Sequence, residues 1–102
     1  LLDLFDLVPA KINLSQNYPN PFNPNTNFEV SVDNNVNGKL IIYDQMGSEV
    51  KILYSGILNR GVNYFSWDGS NAFGKKVATG TYIYCLKIND ILIKSQKMIY
   101  IK

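Results

Sequence analysis

Apolar and polar residues alternate along most of the chain. In an extended strand this alternation places the apolar side chains on one face and the polar side chains on the other. β-Branched and aromatic residues fill the apolar positions. No segment keeps a helical period of about 3.6 residues over three turns. The pattern therefore predicts an all-β protein. Its strands are NFEVSV (27–32), KLIIYD (39–44), EVKILYS (49–55), VNYFSWD (62–68), TYIYCLKI (81–88) and ILIKSQKMIYIK (91–102).

The inward faces of these strands form the predicted core. The same register turns Ile41 and Cys85 outward, because each lies between two inward residues. The core residues are Val30, Leu40, Ile42, Val50, Ile52, Phe65, Trp67, Tyr82, Tyr84 and Leu86.

Residues that favour turns separate the strands. Asp44 and Gly47 suit a tight hairpin, and NRG (59–61) and IND (88–90) are further turns. A longer excursion, WDGSNAFGKKVATG, begins at Trp67. Short strands joined in this antiparallel manner favour a β-sandwich.

The segment QNYPNPFNPNT (16–26), which we call the Pro/Asn strap, precedes the first long strand. Proline fixes φ, donates no hydrogen bond and restricts the residue before it to extended geometry. We therefore expect a stiff strap, close to polyproline II, along an edge of the sandwich. Tyr18 and Phe22 are expected to be mostly buried, since a free linker has little use for aromatic rings. A solvated linker is the alternative.

The composition fits one folded domain and limits the possible functions. The chain has 102 residues, of which 46% are hydrophobic and 18% charged, and its net charge is +2. That charge is too small and too dispersed for a nucleic-acid partner. No apolar stretch is long enough to span a membrane. Because the first residue is Leu, we expect the chain to be a piece of a longer precursor or a processed product.

The residue types give little support for catalysis. The chain has no histidine, the commonest general base and metal ligand, so Cys85 has no His partner for nucleophilic chemistry. Calcium at DNN (33–35) is a minor alternative without EF-hand ligand order. We predict no enzyme activity, cofactor, metal or catalytic residue. Turn formation accounts for the acidic residues that lie beside Gly, Asn or a turn, which are Asp33, Asp44, Asp68 and Asp90.

Four motifs in sequence order together resemble one known family. They are LSQNYPNPFNPNT, KLIIYDQMGSEV, VNYFSWDGSNAFGKKVATGTYIYCL and a terminal QKMIYIK. Their combination, from about Leu14 to Lys102, resembles the type A C-terminal sorting domain of type IX (Por) secretion cargo. The resemblance implies an immunoglobulin-like antiparallel β-sandwich of about seven strands, related to the domain of flagellar hook-capping proteins. Residues 14–102 would form this domain, and residues 1–13 a linker or N-terminal interaction segment.

The resemblance implies a non-catalytic signal that directs an upstream cargo domain of the same precursor across the outer membrane. The implied partners are the outer-membrane translocon, its shuttle proteins and a sortase-like surface cysteine peptidase. The protein would be exported, through the periplasm, to the cell surface or the medium. The alternatives are a retained structural or adhesion module and a carbohydrate-binding module. An aromatic set could line the sugar site of the latter: Tyr64, Phe65, Trp67, Phe73, Tyr82 and Tyr84.

The family's typical positions supply the candidate recognition residues. Two departures are Ile41, where the family usually has a polar residue, and Cys85, where it usually has a basic one; they suggest that a partner covers this outer face. The matching positions are Asn17, Tyr18, Pro19, Asn20, Pro21, Phe22, Asn23, Pro24, Asp44, Gly47, Trp67, Asp68, Gly69, Gly74, Gly80, Thr81, Tyr82, Lys97 and Lys102.

The terminal strand is the expected recognition element, because a strand at a chain end is the easiest to present or peel. Its inward residues are either Met98 and Tyr100 or Ile99 and Ile101, and it is either continuous or interrupted near Ser95. Removing residues 100–102 is expected to leave the fold largely intact while blocking export. An ordinary last strand is the alternative. The exposed lysines that would contact an acidic receptor are Lys94, Lys97 and Lys102.

The first residues, LLDLFDLVPAKI (1–12), are too apolar for an idle linker. They could pack on their own domain, on the upstream cargo, or on a neighbouring copy as an added strand.

Overall fold

The computed structural model describes residues 12–102, and the expectations for residues 1–11 lie outside the described residues. Within the described range no helix is long and apolar enough to cross a membrane. The strands are β1 (Asn13–Leu14), β2 (Thr26–Val32), β3 (Val36–Asp44), β4 (Glu49–Leu58), β5 (Gly61–Trp67), β6 (Gly80–Ile88) and β7 (Ile91–Tyr100).

The strands form two antiparallel sheets that enclose the core. The first sheet has the order β1-β2-β5 and the second the order β4-β3-β6-β7. This arrangement confirms the predicted all-β, immunoglobulin-like sandwich of seven strands. The six predicted runs correspond to β2–β7 with their ends moved by a few residues. The pattern missed β1, because two residues, Asn13 and Leu14, are too short for a period to show.

Most of the predicted core is buried as expected. In the terminal strand Met98 and Tyr100 face the core, whereas Ile99 and Ile101 are exposed. This strand is continuous, with an irregularity in its pairing to β6 between Leu86 and Lys87 rather than a break near Ser95. The predicted core residues that are buried are Val30, Leu40, Ile42, Trp67, Tyr82, Tyr84 and Leu86.

The prediction that Ile52 lies in the core is wrong. Leu40 pairs with Tyr54 but Ile41 pairs with Ile52, so Leu53 is an extra residue in a β-bulge. A slip of one residue moves the side chains beyond it to the other face, and a second shift at Val50 restores the original register. Leu53 therefore packs against the core, and Ile52 is 44% exposed on the outer face. Two further predicted core residues, Val50 and Phe65, are only partly buried at the margin of the core.

Ile41 and Cys85 lie on the outer face, as the register predicted. Ile41 is paired with Ile52 on one side and with Cys85 on the other, so three side chains form a row across the sheet. Ile41 is nevertheless only 4% exposed. The chain itself covers this side chain, and its burial requires no partner.

The Pro/Asn strap is ordered, but it is not an extended polyproline II segment. Its backbone bends at residues 19–21 and 23–24. Phe22 is 2% exposed, which agrees with the prediction, whereas Tyr18 is 78% exposed, which contradicts it. The backbone N–H and C=O of Tyr18 bond to Asn27 at 3.0 and 2.9 Å. This pairing places the Tyr18 ring beside the outward Asn27 instead of in the core.

Phe22 enters an aromatic cluster formed from distant parts of the chain. Its ring centroid lies 5.5 Å from that of Trp67 and 5.0 Å from that of Tyr100. Trp67 also contacts Tyr82, with a centroid distance of 5.4 Å and nearly perpendicular rings. Such tilted and offset pairs are the geometries that aromatic quadrupoles favour. We call Phe22, Trp67, Tyr82 and Tyr100 the aromatic cluster.

Gly69 makes room for this cluster. Its φ is +80°, and a Cβ at this position would lie 2.6 Å from Cζ of Tyr100. Glycine is thus required twice, for the left-handed backbone and for the close approach of the ring. Gly74 has almost the same φ, +81°, but a Cβ there would meet nothing within 4 Å.

We expect Phe22→Ala to lower the free energy of unfolding by about 3–5 kcal/mol, because it leaves a cavity among aromatic rings. The matched control, Tyr18→Ala in the same strap, should change it by less than about 0.5 kcal/mol, since that ring is exposed. Urea denaturation followed by Trp67 fluorescence measures both. Equal losses for the two variants would contradict this placement of the strap.

We expect Gly69→Ala to cost about 3 kcal/mol, because left-handed strain and overlap with Tyr100 act together. Gly74→Ala should cost only about 1 kcal/mol, from backbone strain alone. Thermal unfolding of both variants gives the comparison. If Gly74→Ala is as damaging as Gly69→Ala, the Tyr100 ring does not limit residue 69.

Candidate recognition surface

The Pro/Asn strap closes the free edge of the last strand. The Phe22 N–H donates to the Ile99 carbonyl at 3.0 Å, and the Ile101 N–H donates to the Phe22 carbonyl at 3.1 Å. The Asn20 side-chain oxygen accepts a bond from the Ile99 N–H at 2.9 Å. The end of β7 is therefore bonded on both sides, to β6 and to the strap. This arrangement is the opposite of an easily peeled terminal strand.

Further bonds hold the last strand to the beginning of the domain. Gln16 Nε2 donates to the Lys97 carbonyl at 2.9 Å, and Gln96 Nε2 donates to the Leu14 carbonyl at 2.8 Å. Tyr100 is a member of the aromatic cluster. A deletion of residues 100–102 thus removes a core side chain, which argues against the expectation that the fold stays intact.

Asn17 is a structural member of the predicted set. It is buried, its N–H donates to the Tyr84 hydroxyl at 2.9 Å, and its Nδ2 donates to the Thr26 hydroxyl at 3.0 Å. The Tyr84 hydroxyl in turn donates to the Ser15 carbonyl at 2.8 Å. Burial raises the pKa of Tyr84 to about 12, although the bond from Asn17 opposes this. The neutral hydroxyl stabilises the fold at neutral pH, and that contribution is lost as pH rises through this value.

Asp44 and Gly47 form the predicted hairpin turn. The Asp44 carboxylate accepts bonds from the backbone N–H groups of Met46 and Ser48, both at 2.9 Å. Gly47 has a φ of +85° and donates its N–H to the Asp44 carbonyl at 3.1 Å. These two positions shape the turn between β3 and β4, as their residue types predicted.

Asp68 shapes the corner that follows β5. Its carboxylate accepts bonds from the Ser70 hydroxyl at 2.5 Å and from the Ser70 N–H at 3.0 Å, and Lys76 lies 3.7 Å away. The Ser70 hydroxyl bond is the largest cause of a lowered Asp68 pKa, burial opposes it, and the positive charge of Lys76 adds to it. The ionised carboxylate thus stabilises the corner at neutral pH, and the contribution is lost as acid protonates it.

The remaining motif residues near this corner also support the fold. The Trp67 Nε1–H donates to the Ser70 carbonyl at 2.8 Å, which fixes the buried indole. Gly80 is the first residue of β6, and the Tyr82 hydroxyl donates to the Ala78 carbonyl at 2.6 Å. Burial, and then the charge of Asp44, raises the pKa of Tyr82.

Three members of the predicted set, Asn20, Thr81 and Lys97, meet at one groove, which we call the terminal groove. It has a volume of about 560 Å³ and lies on the outer face of β6 and β7. Thr81 pairs with Ile99, and Ile83 pairs with Lys97, so the four side chains form a compact outward patch. The lining residues are Asn20, Gln45, Thr81, Ile83, Lys97 and Ile99.

Sequence reasoning found Asn20, Thr81 and Lys97 but missed the apolar part of the terminal groove. Ile83 and Ile99 are outward residues on strands whose inward faces are also apolar. That double apolar character is the signal that could have identified them. The exposed predicted residues outside the groove are Tyr18, Pro19, Pro21, Asn23, Pro24, Gly47, Asp68, Gly74 and Lys102.

The described residues carry no arrangement suited to metal binding, and Cys85 is poorly suited to nucleophilic chemistry. No group of three or more His, Cys, Asp or Glu side chains in residues 12–102 could hold a metal ion. Burial raises the pKa of Cys85, and the nearby Lys87 only partly opposes this. The thiol is therefore protonated at neutral pH, and the thiolate is the reactive form.

The aromatic set that sequence analysis offered as a sugar site does not come together at the surface. Trp67, Tyr82 and Tyr84 are buried in the core. Only Tyr64 and Phe73 of that set are strongly exposed. The predicted set is therefore mainly a core set.

Two solved structures from Porphyromonas gingivalis have a similar fold. Dimeric latent PorU matches with a TM-score of 0.75 and 22% identity over 90% of this chain, which corresponds to 10% of that protein. PorZ, described as an essential bacterial surface component of the type-IX secretion system, matches with a TM-score of 0.52 and 18% identity over 89% of this chain. The chain thus spans about a tenth of each protein, 10% and 11%.

No curated protein matches the sequence. A family model does match, and it covers residues 20–89, from the middle of the Pro/Asn strap to the turn after β6. This range includes the hairpin at Asp44, the corner at Asp68 and most of the two sheets. The chain belongs to the FlgD Ig-like domain family.

Proposed function

We propose that residues 14–102 form a non-catalytic C-terminal sorting domain, which directs an upstream cargo domain through the type IX secretion system. The observation that carries the proposal is the interlocking of the Pro/Asn strap with the last strand. The two most distinctive motifs are far apart in sequence, yet Phe22 bonds to both Ile99 and Ile101. The fold shared with PorU and PorZ supports the same assignment.

The export machinery, in this proposal, recognises the folded surface around the terminal groove. Lys97 supplies positive charge, Asn20 supplies an amide, and Ile83 and Ile99 supply exposed apolar area. An outer-membrane translocon component or a shuttle protein with an acidic rim around an apolar patch would complement this surface. Recognition of a folded surface also explains why the last strand is fastened at both edges.

Cleavage by a sortase-like surface cysteine peptidase would follow transport and release the cargo or attach it to the surface. The protein would pass through the periplasm and reach the cell surface or the medium. Residues 1–13 would then join the cargo to the sorting domain. A retained structural module is the competing function, and the outward Ile52 and Leu92 on the second sheet favour it, since exposed apolar residues suit assembly.

We expect Lys97→Glu to reduce export about tenfold or more, because it reverses the charge at the terminal groove. The measurement is surface display of a fluorescent reporter that carries the full chain at its C-terminus, in a bacterium with a type IX system. Lys75→Glu, in the loop after the Asp68 corner, is the charge-matched control and should be exported normally. Both lysines are exposed, so neither change should lower the melting temperature.

Normal surface display of a folded Lys97→Glu variant would contradict recognition at the terminal groove. Mass spectrometry of the surface cargo separates the sorting domain from a retained module. A cleaved signal leaves no peptides from residues 14–102 on the mature cargo, whereas a retained module leaves all of them.

A further inference from the structure

The outer face of the first sheet carries a groove that the sorting function does not use. Its volume is about 300 Å³, and two tyrosine rings project from its sides. Tyr18 is 78% exposed and Tyr64 is 72% exposed. We call it the tyrosine groove. Its lining residues are Ser15, Gln16, Tyr18, Asn27, Glu29 and Tyr64.

Strand pairing places the two rings on opposite sides of β2. Tyr18 pairs with Asn27 in an isolated bridge, and Tyr64 on β5 pairs with Glu29. Asn27 and Glu29 are two residues apart on β2, so both point outward beside the buried Phe28. The Cα atoms of the two tyrosines are thus separated by two strand spacings across the sheet and two residues along it, roughly 12 Å, with an amide and a carboxylate between them.

The backbone of the groove is already fixed. The Ser15 hydroxyl accepts a bond from the Glu29 N–H, and the Ser15 N–H donates to the Glu29 carbonyl, both at 2.9 Å. The two backbone bonds between Tyr18 and Asn27 hold the opposite end. Binding of a ligand therefore costs little conformational entropy in the backbone of this site. Tyrosine side chains also contribute contact area at a low entropic cost.

Three polar groups of the groove remain available to a ligand, whereas the Asn27 side-chain amide already donates to the Tyr18 carbonyl at 3.3 Å. Within the described part of the chain, the Glu29 carboxylate forms no ion pair, and neither the Tyr18 nor the Tyr64 hydroxyl forms a hydrogen bond. A carboxylate accepts several hydrogen bonds, and a phenol both donates and accepts. The site thus offers aromatic faces together with hydrogen-bonding groups.

This combination fits a sugar ring better than other ligands. A pyranose has an apolar C–H face that packs on an aromatic ring, and a rim of hydroxyls that bond to carboxylate and amide groups. Among the described residues that line the groove, only Glu29 is ionic, and its negative charge disfavours phosphate, sulfate and acidic sugars. Apart from the two rings the lining is polar, so an apolar peptide side chain gains little burial.

We propose that the tyrosine groove binds a neutral oligosaccharide, with Tyr18 and Tyr64 as stacking platforms and Glu29 as the acceptor for sugar hydroxyls. The site is distinct from the aromatic set considered from the sequence, of which it shares only Tyr64. It also lies on a different sheet from the terminal groove, so the two surfaces can be tested separately.

The test is an NMR titration of the full ¹⁵N-labelled chain with three neutral probes, which are cellohexaose, mannohexaose and N-acetylchitohexaose. We expect at least one probe to shift the amides of Asn27, Glu29 and Tyr64 in a saturable way. Tyr64→Ala should weaken that binding tenfold or more, and Glu29→Gln should weaken it several-fold. Both residues are exposed, so the variants should keep the melting temperature of the parent chain.

Phe73→Ala is the matched control, because Phe73 is 89% exposed but lies in the loop after the Asp68 corner. It should bind the probe within twofold of the parent chain. The proposal is overturned if none of the three probes binds, or if Tyr64→Ala binds as well as the parent. It is also overturned if only an acidic probe, oligogalacturonate, binds. The proposal is overturned as well if only an extended Thr-Val peptide causes shifts and these shifts lie along β5. That result would indicate that the peptide adds as a strand at the β5 edge.

Discussion

The contact between the Tyr100 ring and Gly69 is the constraint on which the rest of this domain depends. The ring can approach the backbone only because residue 69 has no Cβ and adopts a φ of +80°. Tyr100 then stacks on Phe22 and reaches Trp67. Strap, corner and last strand are thereby fixed to one another, although they come from the beginning, middle and end of the sequence. The net gain from each aromatic pair is about 1 kcal/mol beyond burial, so the cluster acts through its number of contacts.

This cluster explains why residues far apart in sequence belong to one recognition motif. Asn17, Phe22, Trp67, Gly69 and Tyr82 are all internal, where they maintain the shape of the domain. The accessible members include Asn20 and Lys97, which lie where the strap meets the outer face of β6 and β7. A motif of this kind conveys its information through the fold, since a partner encounters only the surface that the buried residues position.

The sequence was sufficient for the fold class and for most of the core, because alternation is a strong signal in half-buried strands. The sequence was insufficient at Ile52, because the extra residue Leu53 in β4 moves the Ile52 side chain to the outer face. A bulge is set by pairing with β3 and leaves no trace in the period of β4 itself. Tyr18 was misplaced for a related reason. Its orientation follows from a backbone bridge to Asn27, which no local pattern in the strap indicates.

The candidate surfaces were harder to predict than the core. The side chains that a strand buries can be read from the pattern of that strand, whereas a groove forms only where several strands and loops lie side by side. The terminal groove needs the strap beside β7, and the tyrosine groove needs both the strap and β5 beside β2. The two outer faces also differ in chemistry. The second sheet presents Ile52, Ile83 and Ile99, whereas the first presents Asn27, Glu29 and two tyrosines. An apolar face with lysines at its margin suits a protein partner, and a polar face with exposed rings suits a hydroxyl-rich ligand. Because the aromatic cluster joins the two sheets rigidly, a single small domain can hold both surfaces in a fixed relation.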